Sequence, residues 1–270
     1  MDQPSSEAQI RLLFFAGTFA VMFLLETVLP RRVRVENRTR RTVNNLLLAI
    51  LNSMILRAIP LLSAVGAASL ATRYKWGILN HVELPFAFEV AVSVVVLDLV
   101  IYWQHVASHR FAVLWRFHQV HHADHDLDAS SGFRFHPVEI VFSMIIKCFV
   151  VVALGAPPEG VVTFEIVLSS CAIFNHSNLA IPSRLDRAVR FLVVTPDMHR
   201  IHHSVIREET DSNYGFSVPL WDRMFRTYRE DPQEGHERIK LGLPEYPSAK
   251  QTVPLIVMLR MPFRRESSEE

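Results

Sequence analysis

The sequence is poor in cysteine, in net charge and in the glycine motifs that hold nucleotides. Only two of its 270 residues are cysteines, Cys148 and Cys171, and both lie in apolar runs without CxxC spacing. So few cysteines, without paired spacing, argue against a disulfide framework, a zinc ribbon and an iron–sulfur cluster. The formal net charge is only +1, so no basic field points to nucleic acid as a partner. A dinucleotide-binding glycine motif and a flavin fingerprint are also missing from the sequence.

Apolar residues, in contrast, make up 50% of the chain, and the mean hydropathy of +0.19 is high for a soluble enzyme. They are concentrated in five runs, at residues 10–30, 43–71, 84–106, 138–154 and 160–174. The first and third runs are long enough to span a bilayer as helices. The second is interrupted by Arg57 and Pro60, so we expect it to tilt, kink or break. A Pro-rich turn joins the last two, which predicts a helical hairpin that returns to the same side.

The placement of arginine sets the expected orientation of these helices. Residues 31–41 hold six arginines, whereas the loop after the second run offers only Arg73 and Lys75. The positive-inside rule therefore makes the arginine-rich loop cytoplasmic and puts the N-terminus outside. We predict an all-α, polytopic integral membrane protein with a cytosolic helical cap. Its expected divisions are N-terminal membrane helices at 1–83, a histidine-motif catalytic domain with the membrane hairpin at 84–230, and a C-terminal cytosolic tail at 231–270.

The histidines are clustered, since eleven of the thirteen lie between His105 and His203. They form three patterns, HVASH at 105–109, HQVHH at 118–122 and HRIHH at 199–203, and His176 follows the hairpin. Residues three and four apart share a helix face, so each pattern is expected to direct two or three imidazoles to one point. The predicted topology places all of these side chains on the cytoplasmic side of the membrane.

Imidazole is a ligand that suits iron, copper, nickel and zinc. The clustered histidines far exceed the four ligand positions of one tetrahedral zinc ion, so we predict a site with two metal ions. The candidate metal ligands are His105, His109, His118, His121, His122, His176, His199, His202 and His203.

Three further residues are candidates for supporting contacts. Asp98 lies seven residues before His105 on the same helix face, and a carboxylate there could orient that imidazole. His125 and His136 lie close to the patterns and are interpreted either as ligands or as such supporting groups. His81 and His236 lie outside the cluster and are interpreted as ordinary surface histidines.

The three patterns, in this order, resemble the fatty acid hydroxylase/sterol desaturase superfamily. The resemblance covers residues 102–228 and includes FHPVE at 135–139, NYG at 213–215 and WDR at 221–223. It implies that the histidines of the three patterns and His176 bind two iron ions, which zinc could replace on overexpression. It also implies a membrane-bound enzyme that uses O2 to hydroxylate or desaturate a C–H bond of a lipid, such as a sterol, a fatty acyl chain or an ether lipid.

Such chemistry needs electrons, and the sequence offers no cofactor site that would supply them. The expected partners are therefore a lipid substrate, the surrounding membrane lipids and a separate electron donor, either a reductase or a cytochrome b5-like or ferredoxin-like carrier. The alternative is a non-oxygenase metal-binding membrane protein or a catalytically degenerate relative. Metal transport would favour ligands along a path across the bilayer, whereas these gather on one side. A zinc metalloprotease would need HExxH, but Val106 follows His105.

Overall fold

The computed structural model describes residues 3–264, and these residues form helices joined by loops, with no β-strand among them. The long helices are α1 (Gln3–Val28), α2 (Arg38–Ala58), α3 (Ala64–Tyr74), α4 (Phe86–Arg110), α5 (Ala112–His122), α6 (Pro137–Leu154) and α7 (Pro158–His176). The shorter helices are α8 (Ser183–Val189), α9 (Pro196–His202), α10 (Arg207–Thr210), α11 (Leu220–Phe225), α12 (Ala249–Thr252) and α13 (Leu255–Arg260). The predicted all-α architecture is confirmed.

Three helical segments are long and apolar enough to cross a bilayer, at Glu7–Val28, Phe86–Arg110 and Pro137–Leu154. The second apolar run of the sequence is broken, as expected, because α2 ends at Ala58 and α3 begins only at Ala64. Arg57 consequently lies in the last turn of α2 instead of in the middle of a membrane helix.

The predicted hairpin is formed by α6 and α7, which are joined at Gly155. That residue has a φ of 74°, the left-handed conformation that ends many helices. The two helices hardly contact each other, and α3 and α4 both pack against them. The resulting apolar core includes Leu97, Ile101, Val151 and Phe164.

Helix α2 turns a polar face inward, with Arg41, Asn45 and Asn52 buried. The Arg41 guanidinium is fully buried and pairs with Asp124 at 2.7 Å and with Asp128 at 2.5 Å. Two buried carboxylates therefore surround one buried cation, which fixes the loop after α5 against α2.

Other arginines of the segment 31–41 also pair within the protein. Arg31 bonds to Asp197 of α9 at 3.2 Å, and Arg38 bonds to the buried Glu26 at 2.6 Å. The loop and the histidine-bearing cap therefore lie on the same face of the molecule.

The segment after residue 230 packs back onto the domain instead of extending away as a tail. Its residues Ile239, Val253 and Met258 are buried. The buried Arg134 donates to the Thr252 carbonyl oxygen at 2.7 Å. Through residue 264, this segment packs against α2 and α5.

We predict that Arg41→Met lowers the free energy of unfolding by about 3–5 kcal/mol, because Asp124 and Asp128 then stay buried without their cation. Denaturant titration of the protein in mixed micelles measures this change. The neighbouring Arg40 is exposed, so Arg40→Met provides the matched control and should stay within about 0.5 kcal/mol of the wild type. Equal stability of the two variants would contradict the assigned role of Arg41.

Candidate metal centre

All nine candidate histidines are buried and lie together in two groups. In the first group the possible ligand atoms lie within 4.8 Å of one another and belong to His105, His109, His118, His122 and His202. The second group meets the same criterion and consists of His121, His176, His199 and His203. The groups are neighbours, because the rings of His122 and His203 stack with their centroids 4.4 Å apart. Each group could hold a metal ion.

Helix α5 contributes to both groups and sets their separation. His118 and His122 belong to the first group, whereas His121 belongs to the second. Successive helical residues are rotated by about 100° around the axis, so adjacent residues such as His121 and His122 cannot converge on one point. The expectation that one pattern can direct three imidazoles to one point is wrong, because residues 118–122 are shared between the two groups, and so are residues 199–203.

The histidines of the pattern at 199–203 are also divided, but here two enter the second group and one enters the first. His199 and His203 enter the second group, and His202 enters the first. Helix α9 is started by Thr195, whose hydroxyl accepts a bond from the Met198 N–H at 3.4 Å. Of the remaining elements, α4 gives both of its histidines to the first group and α7 gives its single histidine to the second. Four helices thus meet at the centre.

The loop after α10 provides backbone acceptors for the first group. The Nδ1–H of His105 donates to the Tyr214 carbonyl oxygen at 2.7 Å, and that of His202 donates to the Ser212 carbonyl oxygen at 2.8 Å. Asn213 lies between these two carbonyls with a φ of 51°, a left-handed conformation that Asn adopts more readily than most residues. Its side-chain amide donates to two further carbonyls at 3.0 and 2.9 Å, which holds the loop in place.

Asp222 supports the same loop from the other side. Its carboxylate accepts bonds from the N–H groups of Tyr214 and Gly215, both at 2.8 Å. A Cβ atom on Gly215 would lie 2.7 Å from that carboxylate, so this approach requires glycine. The adjacent Trp221 donates its indole N–H to Asp98 at 2.8 Å. Asp98 therefore does not orient the first imidazole of HVASH, as the sequence led us to expect, because a backbone carbonyl takes that place.

Glu139 orients another ring of the first group. The Nδ1–H of His118 donates to its carboxylate at 2.7 Å. With these outer nitrogens bonded, the Nε2 atoms of His105, His118 and His202 are buried and have no hydrogen-bond partner among residues 3–264. Buried polar atoms are almost always satisfied in folded proteins, and a metal ion would satisfy these. The donor set of the first group therefore fits a metal.

The second group fits a metal through the mutual approach of its nitrogens. The Nε2 atom of His176 lies 3.1 Å from that of His121 and 3.0 Å from that of His199. The Nε2 atom of His203 lies 3.2 Å from that of His199. Ligand nitrogens around a metal at about 2.1 Å are separated by roughly 3 Å. The Nδ1–H of His176 donates to the Ala172 carbonyl oxygen at 2.7 Å, which leaves its other nitrogen facing the group.

Burial also keeps these imidazoles neutral. Desolvation, reinforced by neighbouring imidazoles, lowers the pKa of His121, His122, His199 and His203 well below the usual value. The pKa of His202 is lowered to about 3, and burial is again the largest cause. Only the neutral imidazole has a free lone pair, so these side chains are ready to bind metal at neutral pH.

The other candidate histidines lie outside both groups. His125 donates from Nε2 to the Tyr246 carbonyl oxygen at 2.7 Å, which ties it to the C-terminal segment. His136 precedes α6, and its Nδ1 accepts the Val138 N–H at 3.2 Å. His236 is only 15% exposed and lies 4.0 Å from an Asp197 carboxylate oxygen, so its interpretation as a surface residue is wrong.

A cavity of about 760 Å³ adjoins the first group. Its lining is mostly apolar and includes His105, His118 and Glu139 at one end. Exposed apolar side chains of α1 and α2 also line it, among them Leu12 and Ile50. The cavity is therefore open between α1, which is a candidate membrane span, and α2.

The chain is similar to several lipid-modifying enzymes. It is 24% identical over 264 residues to the ornithine lipid hydroxylase OlsE of Rhizobium tropici, a match covering 95% of this chain and 76% of the relative. It is 26% identical over 148 residues to the alkylglycerol monooxygenase of Homo sapiens, covering 54% and 31%. A match to the very-long-chain aldehyde decarbonylase GL1-6 of Oryza sativa subsp. japonica is 24% identical over 158 residues, covering 55% and 24%.

The chain thus spans about three quarters of the bacterial relative but only about a third or less of the animal and plant enzymes. No solved structure matches it significantly. The sequence model described as fatty acid hydroxylase matches residues 90–227, a segment that contains all nine histidines of the two groups and covers just over half of the chain. The chain belongs to the fatty acid hydroxylase family.

Proposed function

We propose that the protein is an O2-dependent di-iron enzyme that hydroxylates a C–H bond of a membrane lipid. The observation that carries this proposal is the juxtaposition of two groups of buried, neutral imidazoles with a mostly apolar cavity that opens beside α1, a candidate membrane span. Two of the relatives are named hydroxylase and monooxygenase, which favours insertion of oxygen over desaturation. In such a reaction O2, electrons and protons convert the C–H bond to an alcohol and release water.

We propose one iron ion for each histidine group, five ligands around one and four around the other. The bound irons would supply the electrons and the coordination positions at which O2 is activated. Imidazole is a common ligand of iron but also of zinc, so zinc could load on overexpression. The protein contributes the arrangement, because the carbonyls of Ser212 and Tyr214 and the carboxylate of Glu139 fix the rings.

Lipid is the proposed substrate class because the cavity wall is mostly apolar and its exposed lining belongs to α1, a candidate membrane span, and to α2. The first group borders this cavity through His105 and His118. We infer that the substrate carbon is oxidised beside the first group, and that the second group lies behind it. Residues 84–230 then act as the catalytic domain, supported by the membrane helices of residues 1–83.

We propose that the centre faces the cytoplasm and receives electrons from a separate reductase or a small carrier protein. The arginine-rich loop supports this orientation, because Arg31 pairs with Asp197 in the histidine-bearing cap and positively charged loops stay on the cytoplasmic side. The electron donor is external because the sequence has no nucleotide or flavin motif.

We predict that purified wild-type protein from iron-replete cells contains about two metal ions per chain. His202→Ala and His121→Ala, which remove one ligand from the first and the second group respectively, should each lower the content to about one, because each depletes a different group. Elemental analysis by mass spectrometry measures the metals, and His125→Ala serves as a control that keeps both. A wild-type content of one metal or less would contradict the paired site.

We predict that the wild type, but neither His121→Ala nor His202→Ala, produces a lipid heavier by one oxygen atom in cells. Glu139→Gln should lower turnover by about 10–100-fold, the usual effect of removing a group that orients a ligand. Asp98→Asn should retain activity, since Asp98 contacts an indole instead of an imidazole. Lipid mass spectrometry of membranes with matched protein levels measures the product, and the exposed His81→Ala is the control. Turnover by either ligand variant would refute the assignment of the ligands.

A further inference from the structure

Three charged residues meet inside the proposed lipid cavity, on three different helices. Glu165 of α7 bonds through one carboxylate oxygen to the Arg11 guanidinium of α1 at 2.5 Å. Its other oxygen bonds to the Lys147 ammonium of α6 at 3.1 Å. All three residues line the cavity, and the side chains of Lys147 and Glu165 are only 10% and 14% exposed. We refer to these residues as the charged triad.

The triad carries an unbalanced charge. Two cations share a single carboxylate, so a net charge of +1 remains in a cavity whose wall is mainly apolar. The cavity lining also holds Arg57, which is exposed and forms no ion pair among the described residues, and Glu139, which bonds to His118. The three cations and two carboxylates of the lining therefore still leave a net charge of +1. Charged side chains at membrane depth are costly, and they are kept where they pair with each other or with a ligand. An anionic group entering the cavity would balance this charge.

The triad lies at a defined distance from the histidines. Glu139, which orients His118, and Lys147 both line the cavity and are eight residues apart on α6. At a helical rise of about 1.5 Å per residue, this separation is about 12 Å along the helix axis. A ligand that reaches from the triad to the first histidine group must therefore be an extended chain with its charge at one end.

We propose that Arg11 and Lys147 bind an anionic oxygen group, a carboxylate or a phosphate, at one end of the lipid substrate. The acyl chain then extends along the cavity, and the oxidised carbon lies about 12 Å from the anion. This inference rests on the proposed function and names its substrate class: an anionic acyl lipid that is oxidised within its chain, away from the charged end. Glu165 positions the two cations and leaves one positive charge for the ligand.

Binding of matched lipid pairs tests this proposal without relying on turnover. Native mass spectrometry of the metal-loaded protein compares palmitate with methyl palmitate, and phosphatidate with diacylglycerol. In at least one pair we expect the wild type to prefer the anion by roughly tenfold or more, as one charge-assisted hydrogen bond would provide. The pair that shows the preference identifies the anion as a free carboxylate or as a phosphate headgroup. Equal binding within both pairs overturns the proposal.

Variants of the triad separate ligand binding from a purely structural ion pair. Lys147→Met should reduce the preference for the anion to near one, whereas Glu165→Gln should preserve or increase it, because the net positive charge then rises. If the triad only tied the helices together, both variants would lose thermal stability while the preference stayed unchanged, and the proposal would fail. Arg11→Gln is a second variant for the case that Lys147→Met does not fold. Lys250, an exposed residue far along the chain, gives the matched control Lys250→Met.

Oxygen insertion into lipid by a wild type that shows no preference for anions would refute only the role of the triad. A preference for anions that depends on Lys147, in a protein that binds no iron and oxidises no lipid, would support the triad while refuting the oxygenase.

Discussion

The desolvation of nine imidazoles in one place is the constraint on which the rest of the fold depends. A nitrogen that has lost water and gained no partner destabilises the folded state, and the inner nitrogens of the first group have no protein partner among the described residues. The outer nitrogens of several rings are therefore held by rigid acceptors, two of them backbone carbonyls on either side of Asn213. The left-handed Asn213, the close approach at Gly215 and the bonds to Asp222 all follow from the need to hold those carbonyls still.

A second layer of buried charge supports this centre from the side of α2. Arg41 pairs with Asp124 and Asp128 in the loop that follows the HQVHH helix, while Arg134 bonds to the Val120 carbonyl oxygen within that helix. Such pairs contribute little net stability, but removing one partner is strongly destabilising. Because α5 could move only by separating these buried charges from their partners, the bonds hold α5 in one position. That position in turn fixes the separation of the two histidine groups.

The sequence predicts the helical class, the membrane segments, the break in the second apolar run and the set of nine histidines, because hydrophobic length and i, i+4 spacing are local properties. The sequence does not predict how the histidines divide between the two groups, although the helical rotation between His121 and His122 already prevents these two rings from facing the same metal position. The partners of the rings are tertiary features: the Tyr214 carbonyl reaches His105 from more than a hundred residues away. The segments FHPVE and NYG, which belong to the family resemblance, contain Glu139 and Tyr214, but only the fold assigns Glu139 and the two carbonyls to particular rings. The packed C-terminal segment was missed because its contacts with Arg134 and Asn44 are equally remote in sequence.

The mouth of the cavity between α1 and α2 also affects how the protein meets its ligand. A molecule that enters sideways from the hydrocarbon arrives by two-dimensional diffusion, and it never has to leave the bilayer and become hydrated. The relevant concentration is then the mole fraction of the ligand in the leaflet, not its amount per volume of buffer. Diluting the membrane with inert lipid would slow encounter even at constant total ligand, whereas diluting the suspension with water would not.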